Sequence, residues 1–404
     1  MTRVLAVADS DSYLKWAAGL VDRLPAGWTA TLAVVRTPIT PSAGQISAAV
    51  AGTGAAAGAP PPVLPVRELR RLAARTAPRA VLLACTGPVV DVLAAEVFGR
   101  LRPRPVLLSG LPGISVPATE KAWLYRSGCD LLVVHSGREV AEFSRLGAEL
   151  GVTAATALAR LPFLDPAPAP AAGERRRVVF ATQAKVPRRR EEREAVLLAL
   201  ARLAGARPDL DVVVKVRALE HERQTHTERH HYARLWRSLA EAGLVRPDAV
   251  RFAGGAMRDH LAHAAAFVTV SSTAALEAIT AGVPLLVLAD FGVSAEMINL
   301  VFEGSGCLGT LEDLARGDFR HPVPEWCAAN YFHDPAGSDW ARRLVALVDA
   351  AAAGEPAVAR SLLDGPEHAA ARRRARLRLE VPPSVLRAGR RARRRARRYL
   401  DRLR

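Results

Sequence analysis

Two doubly wound α/β domains joined by a proline-rich hinge are what this sequence predicts, and three observations carry the prediction. Short apolar runs alternate with amphipathic segments, the pattern of parallel sheets with helices on both faces. The alternation is interrupted by Asp165-Pro-Ala-Pro-Ala-Pro-Ala-Ala-Gly173, whose spaced prolines favour an extended, semi-rigid connection. Polar residues recur at the predicted carboxyl ends of strands on both sides of that hinge, where open α/β sheets bind ligands.

Arg3–Ala8 reads as a buried strand that ends at Asp9-Ser-Asp-Ser12, with a helix predicted from Tyr13 to Leu24. Strands are predicted at Thr29–Val35, Val63–Val66, Ala80–Ala84, Pro105–Leu108 and Leu131–Val134, and helices at Glu68–Arg75, Val89–Leu101 and Arg138–Leu150. Residues 37–62, rich in Gly, Ala and Pro, read as a mobile loop. Beyond the hinge, strands are predicted at Arg177–Ala181, Asp211–Val216, Val250–Phe252, Ala266–Val270 and Leu285–Leu288. Helices fit at Glu191–Ala204, Glu228–Ala242, Met257–Ala264, Thr273–Ala281 and Ser338–Ala353. The expected division is a first domain over 1–164, a linker over 165–174, a second domain over 175–337, closing helices over 338–370 and a basic tail over 371–404.

The 404 residues suit two or three domains, and with 50% of them apolar large cores can form. Net charge is +16 but uneven: residues 371–404 hold fifteen Arg against Glu380 and Asp401, an excess of +13 that leaves +3 for the rest. The body is therefore nearly neutral, and the charge does not mark a general nucleic-acid binder. Cys85, Cys129, Cys307 and Cys327 have no metal-ligand spacing, so reduced thiols and a cytoplasmic setting are expected. The amino terminus turns polar within a few residues, unlike a signal peptide, and no apolar run approaches the roughly 20 residues of a membrane span.

The most informative spot is Ser271-Ser272-Thr273, between the strand Ala266–Val270 and a helix that carries Glu277. Hydroxyls and free amides at such a junction can hold a phosphate, and Glu277, one turn on, can hold a sugar diol. Ser271 or Ser272 can equally serve as a helix cap. Around this spot the second domain adds Lys185, Lys215 and Arg217, suited to neutralising a departing nucleotide phosphate, with Gly254 and His226 nearby. The first domain offers Asp9, Asp11 and His135, suited to deprotonating an acceptor hydroxyl. Each has a plainer alternative. Asp11 or Ser12 can cap a helix, His135 can be a satisfied strand-end histidine, and Arg217 can pair with Glu220 or Glu222. Lys185 can belong to the basic turn ending at Arg190. The cluster His221, His226, His230 and His231 matches no common metal site and reads as a solvated helix start. Asp9-Ser-Asp11 and Asp209-Leu-Asp211 are too short to count as metal motifs, so neither metal nor cofactor is expected.

The segment Val268-Thr-Val-Ser-Ser-Thr-Ala-Ala-Leu-Glu277-Ala-Ile-Thr-Ala-Gly-Val-Pro284 is similar to the donor segment of bacterial capsule and teichoic-acid transferases. With Ala8–Ser12, Arg126–Ser136, Ala181–Pro187 and Val214–Arg217, it resembles an uncharacterised glycosyltransferase family of high-GC, actinobacterial bacteria, over about residues 1–350. The resemblance implies the two-domain GT-B fold, a donor phosphate on the Ser-Ser pair and a nucleotide-sugar substrate. Two departures matter. Lys215-Val-Arg217 stands where sialyl- and Kdo-transferases carry a His-Pro pair, so donor identity does not carry over. Glu277 lacks the second glutamate, eight residues away, of retaining enzymes, which points to inversion.

Pro382-Pro-Ser384 can open a helix in which Val385, Ala388, Ala392, Ala396, Tyr399 and Leu403 form a weak apolar face among arginines. Residues 384–404 thus suit an anionic membrane surface on the inner face of the cell membrane, with a disordered tail or RNA binding as alternatives. The reading is an inverting, metal-independent glycosyltransferase acting on a cell-surface glycan or lipid-linked acceptor. A nucleotide-sugar epimerase of the same fold, and a non-enzymatic scaffold held by the tail, are the alternatives.

Overall fold

The computed structural model describes residues 1–164, 175–216, 230–356, 359–381 and 385–386. The first domain is built on a parallel sheet of β1 (Thr2–Ala8), β2 (Trp28–Val35), β3 (Val63–Leu64), β4 (Ala80–Ala84), β5 (Val106–Gly110), β6 (Leu131–Val134) and β7 (Ala155–Leu158). Its order is β3-β2-β1-β4-β5-β6-β7. The order reverses between β1 and β4, and Ala8 stands level with both Val34 and Ala84. The residues that follow β1 and β4 therefore emerge together at the switch point.

The second sheet holds β8 (Arg177–Ala181), β9 (Asp211–Lys215), β10 (Arg251–Ala253), β11 (Ala264–Thr269), β12 (Leu285–Leu288) and β13 (Leu308–Gly309), in the order β10-β9-β8-β11-β12-β13. All its pairings are parallel too. Its reversal lies between β8 and β11, where Ala181 stands level with Thr269 and Lys215. Runs such as Val178, Val179 and Phe180 are wholly buried because helices cover both faces of the sheet.

Apolar packing is continuous between the domains. One cluster contains Trp16, Leu108, Ala157 and Leu164 of the first and Leu276, Val283, Trp326 and Tyr331 of the second. The chain then returns to the first domain. The helix Trp340–Ala352 packs on β5 and β7, and the Asp339 amide and carboxylate bracket Leu158, donating to its carbonyl at 2.9 Å and accepting from its amide at 2.8 Å. A last described helix, Pro366–Glu380, docks on the helix Gly87–Val92. There Arg372 donates to both oxygens of buried Asp91 at 2.8 and 2.7 Å, and Leu379 enters the first domain's core.

The structure differs from the sequence expectation in several places. Residues 37–62 contain a helix, Ala43–Val50, closed by reciprocal Ser42 and Gln45 bonds, and it buries Ile46, Ala49 and Val50. Its Ala- and Gly-rich composition hides the apolar face, and tertiary burial stabilises it. The first helix starts at Asp11 with Ser10 as N-cap, so Asp11 lies inside the helix. The helix expected at Val89–Leu101 starts at Gly87 and widens into a π-turn over Leu93–Phe98. Strands β7 and β13 and the helices Leu311–Arg316, Pro324–Ala329 and Pro366–Glu380 were not anticipated. The linker 165–174 and, apart from Val385 and Leu386, the tail helix expected from Ser384 lie outside the described residues. No described helix is long and apolar enough to cross a membrane.

The Arg372–Asp91 pair is enclosed, with side-chain exposures of 15% and 6%. Removing one partner leaves a buried charge uncompensated. Arg372→Met is expected to cost about 3 kcal/mol, read as a lowered urea midpoint.

Candidate functional site

Around the second domain's switch point, Thr269, Gln183 and the Ser-Ser pair form one hydrogen-bonded unit. The Thr269 hydroxyl accepts from the Ser272 amide at 3.1 Å, and Ser272 Oγ accepts from the Ala274 amide at 3.2 Å. Gln183, two residues beyond β8, lies 2.7 Å from Thr269 Oγ1. With its carboxamide turned so that every partner is satisfied, Oε1 accepts from the Thr269 hydroxyl, the Ser271 amide at 3.1 Å and the Ser272 amide. The expectation of free amides at Ser271 and Ser272 is corrected: Gln183 already serves them. The helix behind them, Ala274–Thr280, is also only seven residues long. What the segment presents is the hydroxyls of Ser271 and Ser272 and the side chain of Thr273, which makes no capping bond.

Lys185 is exposed and has no ion pair among the described residues, whereas Lys215 is half-buried at the end of β9, its carbonyl accepting from the Thr182 amide at 3.1 Å. Gly254 follows β10, and its carbonyl lies 2.7 Å from His260 Nε2. Arg217 and His226 fall outside the described residues. Asp209 and Asp211 are held by arginines, Arg207 for the first and Arg177 and Arg251 for the second.

In the first domain, Asp9 is fully buried. Its Oδ2 accepts from the Thr86 amide at 2.9 Å and hydroxyl at 2.5 Å, while Oδ1 has no partner. Burial raises its pKa against the opposing bonds from Thr86. Buried Arg126 lies nearby and donates to the Tyr13 hydroxyl at 2.8 Å and to the carbonyl of Gly110 at 3.2 Å. Asp11 is half-exposed, on the first turn of the helix Asp11–Val21.

His135 is a core residue, which removes it from the candidate bases. Trp16 Nε1 donates to its Nε2 at 2.9 Å, the Leu111 carbonyl also lies 2.9 Å from Nε2, and the Ala159 carbonyl lies 2.7 Å from Nδ1. Burial lowers its pKa to about 4, so the ring is neutral and both nitrogens are used.

Two contacts set the domains opposite each other. Lys15, one turn after Asp11 on the same helix face, reaches Glu277 of the second domain at 3.4 Å and lies over the Phe163 ring. Gly113, in the segment after β5, approaches Thr273 so closely that a Cβ there would stand 2.8 Å from Oγ1. The carboxyl ends of both sheets thus meet across one cleft, with Asp11 and Lys15 on one wall and Ser271–Thr273 and Glu277 on the other.

Three further residues were not picked out from sequence as site residues. Gln183 and Arg126 were visible only as members of polar segments. Glu139 sat in a Ser136-x-x-Glu139 capping pattern, yet its carboxylate turns elsewhere. It accepts from the amides of His135 and Ser115, both at 2.7 Å, and from the Tyr331 hydroxyl at 2.5 Å. Ile298, at φ 62°, holds a β-branched side chain in the left-handed region, in the loop after β12. A groove of about 520 Å³ lies between Ala195–Arg202 and Leu244–Ala249. Apart from Arg202 and Arg246 its lining is apolar, and it has no acid–base group; the chemistry-bearing residues lie in the cleft instead.

Two doubly wound domains facing across a cleft, with ligand-competent strand ends on both walls, define the GT-B class of fold. Residues 4–347 match the family model described as "Putative glycosyltransferase (DUF6716)", and the chain belongs to that family. No curated protein matches it. Among solved structures it is similar to S. aureus MnaA in a co-structure with UDP: 12% identity, 88% of this chain and 98% of that one, TM-score 0.55. It is also similar to Methanocaldococcus jannaschii UDP-GlcNAc 2-epimerase in complex with UDP-GlcNAc and UDP, at 9% identity, 86% and 99% coverage and TM-score 0.51. The lipopolysaccharide outer core galactosyltransferase WaaB, apo form, matches at 10% identity, 88% and 100% coverage and TM-score 0.45. The first two likenesses are likenesses of fold.

Burial raises the Glu139 pKa from 4.5 to about 7, so its stabilising contribution is complete below pH 4.5 and is lost as pH rises through 7. His135, lowered from 6.5 to about 4, acts oppositely: its contribution is complete above pH 6.5 and is lost as pH falls through 4. In a Glu139→Gln variant the unfolding free energy is expected to climb more steeply with pH between 4.5 and 7 than in the wild type. Denaturant titrations across that range check it, and parallel curves would refute the assignment.

Proposed function

We propose that this protein transfers a glycosyl group, with inversion and without a metal ion, from a nucleotide sugar to a hydroxyl of a cell-surface glycan or lipid-linked acceptor. Membership in a glycosyltransferase family gives the class. The observation that carries the residue roles is the opposition of the two switch points, with Lys15 at 3.4 Å from Glu277. The hydroxyls of Ser271, Ser272 and Thr273 take the donor phosphates. Lys185 and Lys215, joined by Arg217, balance the charge that grows on the leaving nucleotide. Glu277 exchanges Lys15 for a sugar diol, with Gly254 and His226 beside the donor.

Asp11 is the base in this reading, because it alone of the three first-domain candidates combines exposure with a place on the helix face that meets the donor wall. Its carboxylate takes the acceptor's proton as the acceptor oxygen attacks the anomeric carbon. The bond from that carbon to the phosphate oxygen breaks, and its electron pair leaves with the nucleoside diphosphate. Asp9, buried beneath, positions Thr86 and the start of the following helix.

The epimerase reading keeps the same donor wall and is favoured by the UDP-GlcNAc 2-epimerase among the fold neighbours. The product separates the two. Transfer releases nucleoside diphosphate in proportion to added acceptor, whereas epimerisation alters the sugar on an intact nucleotide sugar.

A thermal-shift screen of nucleotides and nucleotide sugars is expected to find one that raises the melting temperature. Lys185→Ala is expected to weaken that ligand about ten-fold, as loss of a charge-assisted contact does, and Ser272→Ala is expected to weaken it as well. With the ligand in hand, Asp11→Asn is expected to lower acceptor-dependent release by about 100-fold or more with little change in donor affinity. No stabilisation by any nucleotide at millimolar concentration would sink the proposal.

A further inference from the structure

The last described helix has two unlike sides. Successive helical residues turn by about 100°, so Arg372, Ala375, Arg376 and Leu379 share one side and Arg373, Arg374, Leu377 and Arg378 the other. The first side is engaged. Arg372 bonds Asp91 and, at 2.9 Å, Asp364; Arg376 pairs with Glu96 at 2.9 Å and with Glu380 at 2.8 Å; Leu379 is buried. On the second side Arg373, Arg374 and Arg378 are exposed and have no ion pair among the described residues. Between them Leu377 is 52% exposed, and Val385, just beyond the helix, is 57% exposed. The acid on this side, Glu367, sits back at the first turn. The sequence that follows adds ten arginines over 387–404 against the single acid Asp401.

We propose that this outward face, Arg373–Arg374–Leu377–Arg378, is a docking surface for an anionic lipid bilayer. Three unpaired guanidinium groups match a sheet of phosphate-bearing headgroups, and their stems can lie flat while their heads stay wet. An exposed leucine among them gains by entering the headgroup boundary, whereas against a nucleic-acid backbone it would remain in water. The face carries no aromatic ring on which a base could stack, which favours lipid over single-stranded nucleic acid. The paired side fixes the orientation. Because Arg372 holds the helix against Asp91, the bilayer would lie beside the first domain, on the far side of Pro366–Glu380 from the helix Gly87–Val92.

The inference is tested without any nucleotide sugar, so it stands or falls separately from the transfer reading. The full-length chain is sedimented with vesicles of phosphatidylcholine alone or mixed with phosphatidylglycerol. It is expected to follow the mixed vesicles and not the neutral ones, less so as salt rises. Replacing all three arginines by serine is expected to raise the lipid needed for half-binding about ten-fold or more, and replacing them by lysine to preserve binding. Leu377→Ser is expected to weaken binding about three-fold or more at unchanged charge. These side chains are exposed and make no hydrogen bond or ion pair among the described residues, so melting temperatures are expected to match the wild type. Equal binding to neutral vesicles, or no binding to either, overturns the proposal. So does a serine triple variant that binds as the wild type. An undiminished Leu377→Ser variant overturns it too, and leaves the face to nucleic acid.

Discussion

A single buried carboxyl group, Glu139, holds the two walls of the cleft in place. It is fully enclosed, and burial opposes its ionisation; the Tyr331 hydroxyl and the amides of Ser115 and His135 offset that cost. Tyr331 comes from the second domain and the other two donors from the first. Ser115 lies two residues past Gly113, where the absent side chain lets Thr273 approach. One carboxylate therefore fixes a domain contact and the segment that faces Thr273 of the second domain. Trp16 and His135 extend the same arrangement, since the Trp16 indole donates to His135 Nε2 while Nδ1 lies 2.7 Å from the Ala159 carbonyl.

The chain reinforces this junction by crossing back. Asp339 pairs with Leu158 at the edge of the first sheet, and the helix Pro366–Glu380 closes over the first domain through Arg372 and Asp91. A two-domain protein held only by a hinge would leave its switch points free to separate. Here the apolar core is continuous across the domains, so opening the cleft requires exposing part of it. Closure over a nucleotide and release of product would act against that packing, through the exposed Lys15–Glu277 contact first, because an exposed pair holds only weakly.

Both walls of the cleft carry both signs of charge: Asp11 and Lys15 stand on the first, and Glu277 with Lys185 and Lys215 on the second. Gln183 adds a neutral element. By taking the Ser271 and Ser272 amides it orders the segment, so what the segment offers is side-chain hydroxyls rather than bare backbone. Ile298, strained in the loop beyond β12, stores backbone energy close to the carboxyl end of that strand.

The α/β alternation, the two sheets and the positions of Asp9, Asp11, Lys185, Lys215 and Ser271–Thr273 at strand ends were all legible in the sequence, because strand burial and helix amphipathicity are local periodic signals. The helix Ala43–Val50 was not, since alanines show no periodic contrast until Ile46 and Val50 find a core. The environments of His135 and Glu139 were equally hidden. Whether a histidine is a base or a buried pin depends on Trp16 and Ala159, more than a hundred residues away in one case. The tail's charge was plain, yet which arginines are occupied and which remain outward follows from Asp91 and Glu96 in the first domain. Sequence by itself determined the class of fold and the chemical types gathered at its strand ends, because both arise from neighbours along the chain. Only the tertiary structure decided which of those groups are paired, which are buried and which face the cleft, because pairing and desolvation are set by residues brought together from distant segments.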